Sequence, residues 1–352
     1  MSSTDGPLWT PSPDRVAAST LTAFAAEATA RAGISLLDHE SLHAWSVREL
    51  EQFWALVWES SGVIASTRGE VILSHPDAMP GARFFPQARL NFAENLLRRR
   101  GSEDAIVFRG EDQIEARLSW DELRDQVAAL AAFLEAEGVG PGKIVAGFLP
   151  NLPAAIVGML ATASLGAAWT SCSPDFGVRG VLDRFRQTQP RVLLCSDGYF
   201  YKGRTVDSLA RVREFVAELP SVQRVVVARY TTTTPDLSEL PGATTLDEVL
   251  TAHAGARLSF TQVRFNAPLY VLYSSGTTGP PKCIVHGVGG TLLKHLAEHR
   301  LMCDIRPGDR VFYFTTCGWM MWNWLASALA SEATLLLFDG HPAYPSPTSL
   351  FD

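Results

Sequence analysis

"YSSGTTGPPK", from Tyr273 to Lys282, combines six Gly, Ser or Thr residues with two prolines and a closing lysine. The apolar run "APLYVLY" leads into it and has the length and the aromatic and β-branched content of a buried strand. A loop rich in glycine and hydroxyl groups is therefore predicted to leave the end of a strand.

Strand and helix patterns alternate around this loop, starting at about Ala105. A helix should begin after Ser119, because Ser119 and Glu122 fit a capping box, and it should end at Gly138. Strands are predicted at the apolar runs "AIVF", "KIVAGFL", "RVLLC", "RVVVAR", "LYVLYSS", "RVFYFTT" and "ATLLLFD". The alternation predicts an α/β fold of mainly parallel β-sheets covered by helices, with sites beyond the carboxyl ends of the strands.

The first hundred residues have a different pattern, rich in tryptophan and in helix formers. "LHAWSVRELEQFWALVWESSG" places apolar side chains at helical spacing, namely Leu50, Phe53, Trp54, Val57 and Trp58. We therefore predict a helical N-terminal extension over residues 1–100 and a second unit over residues 101–352. The basic cluster "LLRRRG" at 96–101 is interpreted as a solvated helix end.

The composition argues against several classes of protein. A net charge of −7, from 37 acidic and 30 basic residues, leaves no broad basic surface for nucleic acid. Five cysteines without C-x-x-C spacing indicate neither a disulfide framework nor a zinc site. The N-terminus lacks the apolar core of a secretory signal, so a cytoplasmic location is expected. The stretch "AAIVGMLATASLGAAW", 154–169, is shorter than the ~20 residues of a membrane span and is predicted to be a buried helix.

The 273–282 loop has the groups needed to hold phosphate. Four hydroxyls and the amides around two glycines can converge on anionic oxygens: Ser274, Ser275, Thr277, Thr278, Gly276 and Gly279. Lys282 adds a mobile positive charge. A Walker A loop is excluded, because Pro281 occupies its second glycine position and Cys283 follows the lysine. A tight surface turn without a ligand remains the structural alternative.

The same stretch resembles the phosphate-binding signature of the acyl-adenylate-forming superfamily, which includes acyl-CoA synthetases. The resemblance implies that the loop holds the β- and γ-phosphates of ATP while a carboxylate attacks the α-phosphorus, and that coenzyme A then displaces AMP. It implies ATP, Mg²⁺ and coenzyme A as cofactors, catalytic roles for Lys282 and Thr278, and an incomplete AMP-binding domain over 101–352. Amides, hydroxyls, a lysine and a metal ion are suited to stabilising charge on departing pyrophosphate.

Further segments narrow the resemblance. "WSVRELEQFWALVW" and "PGARFFPQARLNFAENLL" resemble the N-terminal extension of the acetyl-CoA synthetase branch, and the second closely resembles acetoacetyl-CoA synthetases. "TTCGWMMWNW", 315–324, points to the same group. The implied reaction joins acetoacetate to coenzyme A. Acetate, propionate and butyrate are alternative acids, and a non-catalytic nucleotide-binding remnant is the alternative of another class.

Two more groups of residues acquire roles through the resemblance. Trp319, Met320 and Met321 match positions that line the carboxylate pocket, although aromatic and methionine stripes are more often core. "DGYFYKGR", 197–204, matches the point where the acetyl-CoA synthetase branch binds the 3′-phosphate of coenzyme A. This match implies a role for Arg204 and, through a looser alignment, for Lys202; two solvated basic residues are the alternative.

His286 follows the loop in "CIVHGVGG". The attacking carboxylate is already ionised, so adenylation needs no general base, and His286 is interpreted as a packed or capping histidine.

The resemblance also implies a longer protein. The family's adenine- and ribose-binding motifs, hinge and C-terminal catalytic lysine lie downstream of the segment that corresponds to "HPAYPSPTSLFD". We therefore expect the 352-residue chain to be incomplete and inactive alone, with bare strand edges near "ATLLLFD".

Overall fold

A computed structural model describes residues 7–274 and 279–351 and has the α/β architecture expected from the sequence. Helices cover two main sheets, and the larger of these is mainly parallel. Four of the predicted phosphate-binding residues, Ser275, Gly276, Thr277 and Thr278, lie outside the described residues.

The helices follow the apolar periodicity of the sequence. In the described ranges they are α1 (Pro13–Ala17), α2 (Thr20–Ala32), α3 (His39–Arg48), α4 (Leu50–Ser60), α5 (Phe92–Leu96), α6 (Trp120–Ala136), α7 (Pro153–Ser164), α8 (Val178–Thr188), α9 (Leu209–Ala217), α10 (Leu246–Ala252), α11 (Val288–Leu296) and α12 (Met320–Ser327). A π-helical turn, Ala297–Met302, extends α11, and a 3₁₀ turn, Ala328–Ser331, extends α12. The predicted capping box begins α6: Glu122 N donates to Ser119 Oγ (3.2 Å), and Ser119 N donates to Glu122 Oε2 (2.8 Å).

The strands alternate with these helices from β5 onward. They are β1 (Ala65–Thr67), β2 (Leu73–Ser74), β3 (Arg83–Phe84), β4 (Arg89–Leu90), β5 (Asp104–Gly110), β6 (Ile114–Ser119), β7 (Ile144–Phe148), β8 (Ala168–Cys172), β9 (Val192–Ser196), β10 (Gly198–Tyr201), β11 (Arg204–Asp207), β12 (Arg224–Ala228), β13 (Thr244–Thr245), β14 (Val263–Arg264), β15 (Pro268–Ser274), β16 (Lys282–Gly287), β17 (Arg310–Phe312) and β18 (Thr334–Asp339).

The larger sheet has seven described strands in the order β13-β12-β9-β7-β8-β15-β16. Neighbouring strands run parallel except β15 and β16, which form an antiparallel hairpin. Side chains alternate between two buried faces: Val145 of β7 packs with α6 and α7, whereas Phe148 packs with α8 and α9. The parallel strands therefore all end at one edge of the molecule.

A central strand of this sheet, β8, lies where the sequence predicts the end of a helix. The helix prediction for 154–169 holds as far as Ser164 and is wrong beyond it. Gly166, with φ 70°, reverses the chain, and Ala168–Cys172 then enters the sheet between β7 and β15. Both segments are buried and apolar, so hydrophobicity alone did not separate them.

The smaller sheet has four described strands in the order β17-β18-β5-β6. β18 pairs in parallel with both β17 and β5. The run "ATLLLFD" is thus an interior strand, with β17 at the sheet edge beside it, and the expectation of bare strand edges near it stays a prediction.

The first hundred residues contain α1–α5 and the short strands β1–β4. β4 pairs with both β1 and β14, which ties this region to the later chain. Arg98 and Arg99 do not form a solvated helix end, so that prediction is wrong for them: Arg98 Nε donates to Asn95 O (3.0 Å), and Arg99 Nη1 donates to Glu332 O (3.2 Å). The division at residue 100 stays a prediction.

Among the helices of the described residues, none combines the length and the apolar character that crossing a membrane requires.

Candidate functional site

The 273–282 loop joins β15 to β16 at the edge where the parallel strands end. Ser274, the last residue of β15, and Lys282, the first residue of β16, are register partners across the mouth of this hairpin. Gly279 has φ 97°, in the left-handed region that glycine favours. The loop leaves the carboxyl end of a strand, as the sequence predicts, and this is the usual location of ligand sites in such sheets.

Lys282 is exposed at the mouth of the hairpin. None of the ion pairs and side-chain hydrogen bonds found within residues 7–274 and 279–351 involves its ammonium group. The charge is accessible to an anion.

Neighbouring elements brace the base of the hairpin. Tyr273 Oη lies 2.8 Å from Thr170 Oγ1 on β8 and 3.2 Å from Thr188 Oγ1 at the end of α8. Burial raises the pKa of the Tyr273 phenol, which keeps it neutral. Gln187 Nε2 donates to Pro281 O (2.8 Å), directly before Lys282. These contacts fix the backbone from which Ser274 and Lys282 project.

A second hairpin, β10–β11, follows the carboxyl end of β9. Lys202 and Gly203 form its turn with φ 53° and 70°, the backbone of a two-residue type I′ turn. Arg204 begins β11, and both basic side chains are exposed. Within the described ranges neither has an acidic partner, and Lys202 Nζ lies 5.8 Å from the centroid of the Tyr201 ring. Their role in ligand binding stays a prediction.

The start of α12 packs against the carboxyl ends of β7 and β8. Ser171 Oγ, on β8, donates to Cys317 O (2.6 Å). Trp322 Nε1 donates to Asn151 Oδ1 (2.9 Å) in the loop that follows β7, and both side chains are buried. A strand-end hydroxyl and a buried amide thus fix the segment that carries the predicted acyl-pocket residues.

The predicted pocket residues do not share one environment. Trp319 is 66% exposed and Met320 38% exposed, whereas Met321 is half-buried. The core interpretation therefore holds for Trp322, which is fully buried, and does not describe Trp319 or Met320. Those two side chains are accessible at the strand-end edge.

The three groups lie along one edge of the larger sheet without touching. No hydrogen bond or ion pair among the described residues joins the β15–β16 hairpin, the β10–β11 hairpin and the start of α12.

Residues 93–352 match the model of a family described as AMP-binding enzyme. The chain belongs to the AMP-binding enzyme family. Its relatives include an acetoacetyl-coenzyme A synthetase of Rhizobium meliloti (strain 1021), 50% identical over 98% of this chain and 53% of the relative. An acetoacetyl-CoA synthetase of Rattus norvegicus is 42% identical over 94% of this chain and 50% of the relative.

A malonamoyl-CoA synthetase of Penicillium aethiopicum is also 42% identical, over 93% of this chain and 47% of its own. Among solved structures, acetoacetyl-CoA synthetase from Streptomyces lividans matches with a TM-score of 0.91 and 45% identity, covering 97% of this chain and 52% of that one. The chain therefore spans about half the length of the relatives it matches. The resemblance to acetoacetyl-CoA synthetases is confirmed.

In this AMP-binding enzyme, His286 lies on β16 as the register partner of Tyr270. Its ring is half-buried, and burial, followed by the charge of Lys294, lowers its pKa. A neutral, partly packed ring fits the interpretation of His286 as a packing residue.

Sequence reasoning did not single out two acids at the strand-end edge, Asp197, which is buried, and Asp339, which is partly buried. Asp197, directly after β9, accepts hydrogen bonds from Tyr230 N (2.9 Å) and Thr232 N (2.7 Å). Asp339, at the end of β18, lies 3.0 Å from Tyr230 Oη. The pKa of Asp339 is raised to about 7, mainly by burial and to a smaller extent by the charge of the nearby Glu111. The sequence does hold a signal for both acids, because Asp197 directly follows a predicted strand and Asp339 ends one.

Proposed function

We propose that the protein carrying this chain joins acetoacetate to coenzyme A with ATP through an acyl-adenylate. A carboxylate oxygen attacks the α-phosphorus, and pyrophosphate leaves with the electrons of the broken P–O bond. The coenzyme A thiol then attacks the acyl carbon, gives up its proton, and AMP leaves. The observation that carries the proposal is the exposed Lys282 opposite Ser274 at the mouth of a hydroxyl-rich hairpin, with no acidic partner in residues 7–274 and 279–351.

In this proposal the hairpin loop holds the phosphates of ATP. Lys282 and Thr278 act on the transferring group, while the remaining loop hydroxyls and amides bind the β- and γ-phosphates. Within the described residues no group of three His, Cys, Asp or Glu is placed to hold a metal. A Mg²⁺ ion is proposed to bind mainly through phosphate oxygens and water, as is usual for nucleotide-bound magnesium.

The acid is proposed to lie against Trp319, Met320 and Met321. Acetoacetate is supported by two of the relatives above, and malonamate by the third. Both acids have a carbonyl at the third carbon and differ by a methyl against an amino group. Apolar walls separate acids that differ by one methylene by only ~1–3 kcal/mol, so a hydrogen bond to that carbonyl would have to exclude butyrate.

Coenzyme A is proposed to bind with its 3′-phosphate at Arg204, assisted by Lys202. A guanidinium matches a phosphate with two parallel hydrogen bonds, whereas an ammonium acts as a point charge.

The remaining assignments are coarser. We assign the protein to the cytoplasm, since its cysteines in the described residues are free thiols and two of them are exposed. Small molecules are the expected partners, with no nucleic acid and no membrane. Residues 1–100 form an extension to the AMP-binding region over 101–352.

The test is acid-dependent exchange of pyrophosphate into ATP by the full protein that carries this chain. Lys282→Ala should slow exchange roughly ten- to a thousandfold, the scale of losing one transition-state donor. Lys143→Ala is the matched control, because Lys143 is an exposed lysine before β7 at the opposite end of the same sheet. Equal exchange by the wild type and Lys282→Ala would refute the role of the loop.

The same assay identifies the acid. Acetoacetate should support the fastest exchange, with malonamate next and butyrate, propionate and acetate slower. A panel led by acetate or propionate would refute the substrate and keep the reaction class. ATP binding without exchange for any acid would favour the non-catalytic nucleotide-binding alternative.

A further inference from the structure

Glu111 occupies an unusual position in the turn between β5 and β6. It is 1% exposed and has φ 46°, a backbone region that non-glycine residues seldom adopt. Its backbone N–H donates to Asp339 O (3.0 Å) and thereby continues the pairing of β5 with β18. A buried carboxylate held in this conformation requires strong compensating contacts.

Backbone N–H groups supply those contacts. Oε1 of Glu111 accepts from Lys202 N (2.8 Å) and from His341 N (2.9 Å), and Oε2 accepts from Gly203 N (2.8 Å). No arginine, lysine or histidine among the described residues forms an ion pair with Glu111. Hydrogen bonds of this charge-assisted kind are about twice as strong as neutral ones.

The packing around this carboxylate is too close for larger residues. A Cβ added at Gly340 would overlap the Glu111 side chain, and one added at Gly203 would overlap the phenol of Tyr344. Three chain segments therefore converge here: the β5–β6 turn, the β10–β11 turn, and the chain that follows β18. Two of them belong to the smaller sheet and the third to the separate two-stranded β10–β11 sheet, so Glu111 fixes the β10–β11 hairpin relative to the smaller sheet.

We propose that Glu111 is a positioning residue for the phosphate end of coenzyme A, an inference that rests on the role proposed above for Arg204. The carboxylate accepts hydrogen bonds from the turn amides of Lys202 and Gly203, directly before Arg204. These bonds set the direction in which the Arg204 guanidinium projects from the hairpin. Its oxygens are buried and engaged by three N–H groups, so Glu111 does not itself reach a ligand. The ligand group served is a phosphomonoester.

The hydrogen bonds between Glu111 and the backbone amides are tested first, on the 352-residue chain, by amide hydrogen exchange. Glu111→Gln keeps the shape of the side chain but turns an NH₂ group toward backbone donors, so at least one contact is lost. Exchange at the amides of residues 202, 203 and 341 should become roughly tenfold faster or more, the scale of losing a bond to a charged acceptor. Glu115→Gln is the control, because Glu115 is exposed on β6 in the same hairpin. Unchanged exchange at these amides would refute the hypothesis that Glu111 holds the turn through hydrogen bonds.

The positioning role is tested with coenzyme A and dephospho-coenzyme A in the full protein. Glu111→Gln should raise the KM for coenzyme A about tenfold. The KM for dephospho-coenzyme A and the rate of pyrophosphate exchange should stay unchanged. Glu111→Gln should add nothing in an Arg204→Ala background, since both changes remove the same interaction. If the side-chain amide of Glu111→Gln still holds the turn through hydrogen bonds, Glu111→Ala serves as a second variant that removes all of them.

The outcomes separate the two hypotheses. If Arg204→Ala loses the preference for coenzyme A over dephospho-coenzyme A while Glu111→Gln keeps it, the positioning role of Glu111 is wrong. The proposed binding of the 3′-phosphate by Arg204 is then supported. If Arg204→Ala keeps that preference, the proposed anchor fails and the inference about Glu111 fails with it. Equal losses for both thiols in Glu111→Gln would assign Glu111 a purely structural role.

Discussion

Asp339 carries a partly buried carboxyl group at the end of an interior strand, where it accepts a hydrogen bond from Tyr230 Oη. Its pKa is raised to about 7, mainly by burial and further by Glu111. The native state therefore binds a proton that the unfolded chain releases near pH 4, and stability is lost as the pH rises through 7. Asp339→Asn, which cannot ionise, should gain about 1–4 kcal/mol relative to the wild type between pH 5 and pH 8.

Thermal unfolding midpoints at those two pH values measure this gain. Asp112→Asn is a suitable control, because Asp112 is exposed in the turn beside Glu111. A difference between Asp339→Asn and the wild type that does not change with pH would show that Asp339 is ionised throughout.

At the scale of single residues, the sequence indicated the exposed groups better than the buried ones. Lys282 stands out in the sequence because a cation that closes a loop rich in glycine and hydroxyl groups suggests phosphate, whereas the role of Arg204 was implied by the resemblance to the acetyl-CoA synthetase branch. Glu111 does not stand out, since "RGEDQ" reads as an ordinary polar turn. Its importance depends on segments some 90 and 230 positions away, the separations of Lys202 and His341, which no local pattern encodes.

The start of helix α12 carries a buried hydrogen bond from Trp322 Nε1 to Asn151 Oδ1. Trp322→Phe removes the indole donor and leaves Asn151 Oδ1 without it, so we expect a loss of about 1–3 kcal/mol in stability. The segment of Trp319–Met321 should loosen with it and raise the KM for the acid, while the KM for ATP changes little. Trp324→Phe is the matched control, because the Trp324 indole donates instead to Glu298 Oε2 (3.1 Å). The same rise in acid KM for both variants would argue against this role of the Asn151 contact.

At the scale of elements, the sequence predicted the limits of segments that carry capping or glycine signals. It did not predict where one element ends and the next begins within a continuous apolar run. α6 begins and ends close to its predicted bounds because a capping box and Gly138 mark them. β8 was missed because one apolar run supplies both α7 and the strand after it. β16 was missed because "KCIVHG" follows a loop and its Ile284 and Val285 are both exposed, without a one-sided pattern.

At the scale of the whole molecule, the sequence predicted the layers but not the strand order. Alternating strands and helices imply parallel pairing. They do not say that β5 and β18, over two hundred residues apart, are neighbours in a separate sheet. That pairing brings the ends of β18 and β9 together. Asp197, Asp339 and the hydrogen bonds of Glu111 all lie there.

The stability of the whole molecule should also fall in mild acid, because two histidines are buried where α11 and its π-helical turn pack on α12. Burial is the largest cause that lowers the pKa of His295 to about 3 and of His299 to about 4. Between those values and 6.5 the unfolded chain binds protons that the folded chain does not, so stability is present above pH 6.5 and is lost as the pH falls. This trend opposes that of Asp339 over the same window, and the Asp339→Asn background isolates it. There, His299→Phe, which keeps an aromatic ring against Trp324, should flatten the fall in unfolding midpoint between pH 7 and pH 4.5, whereas His39→Gln at an exposed site should not. A fall of equal steepness in both variants would place the acid sensitivity elsewhere in the chain.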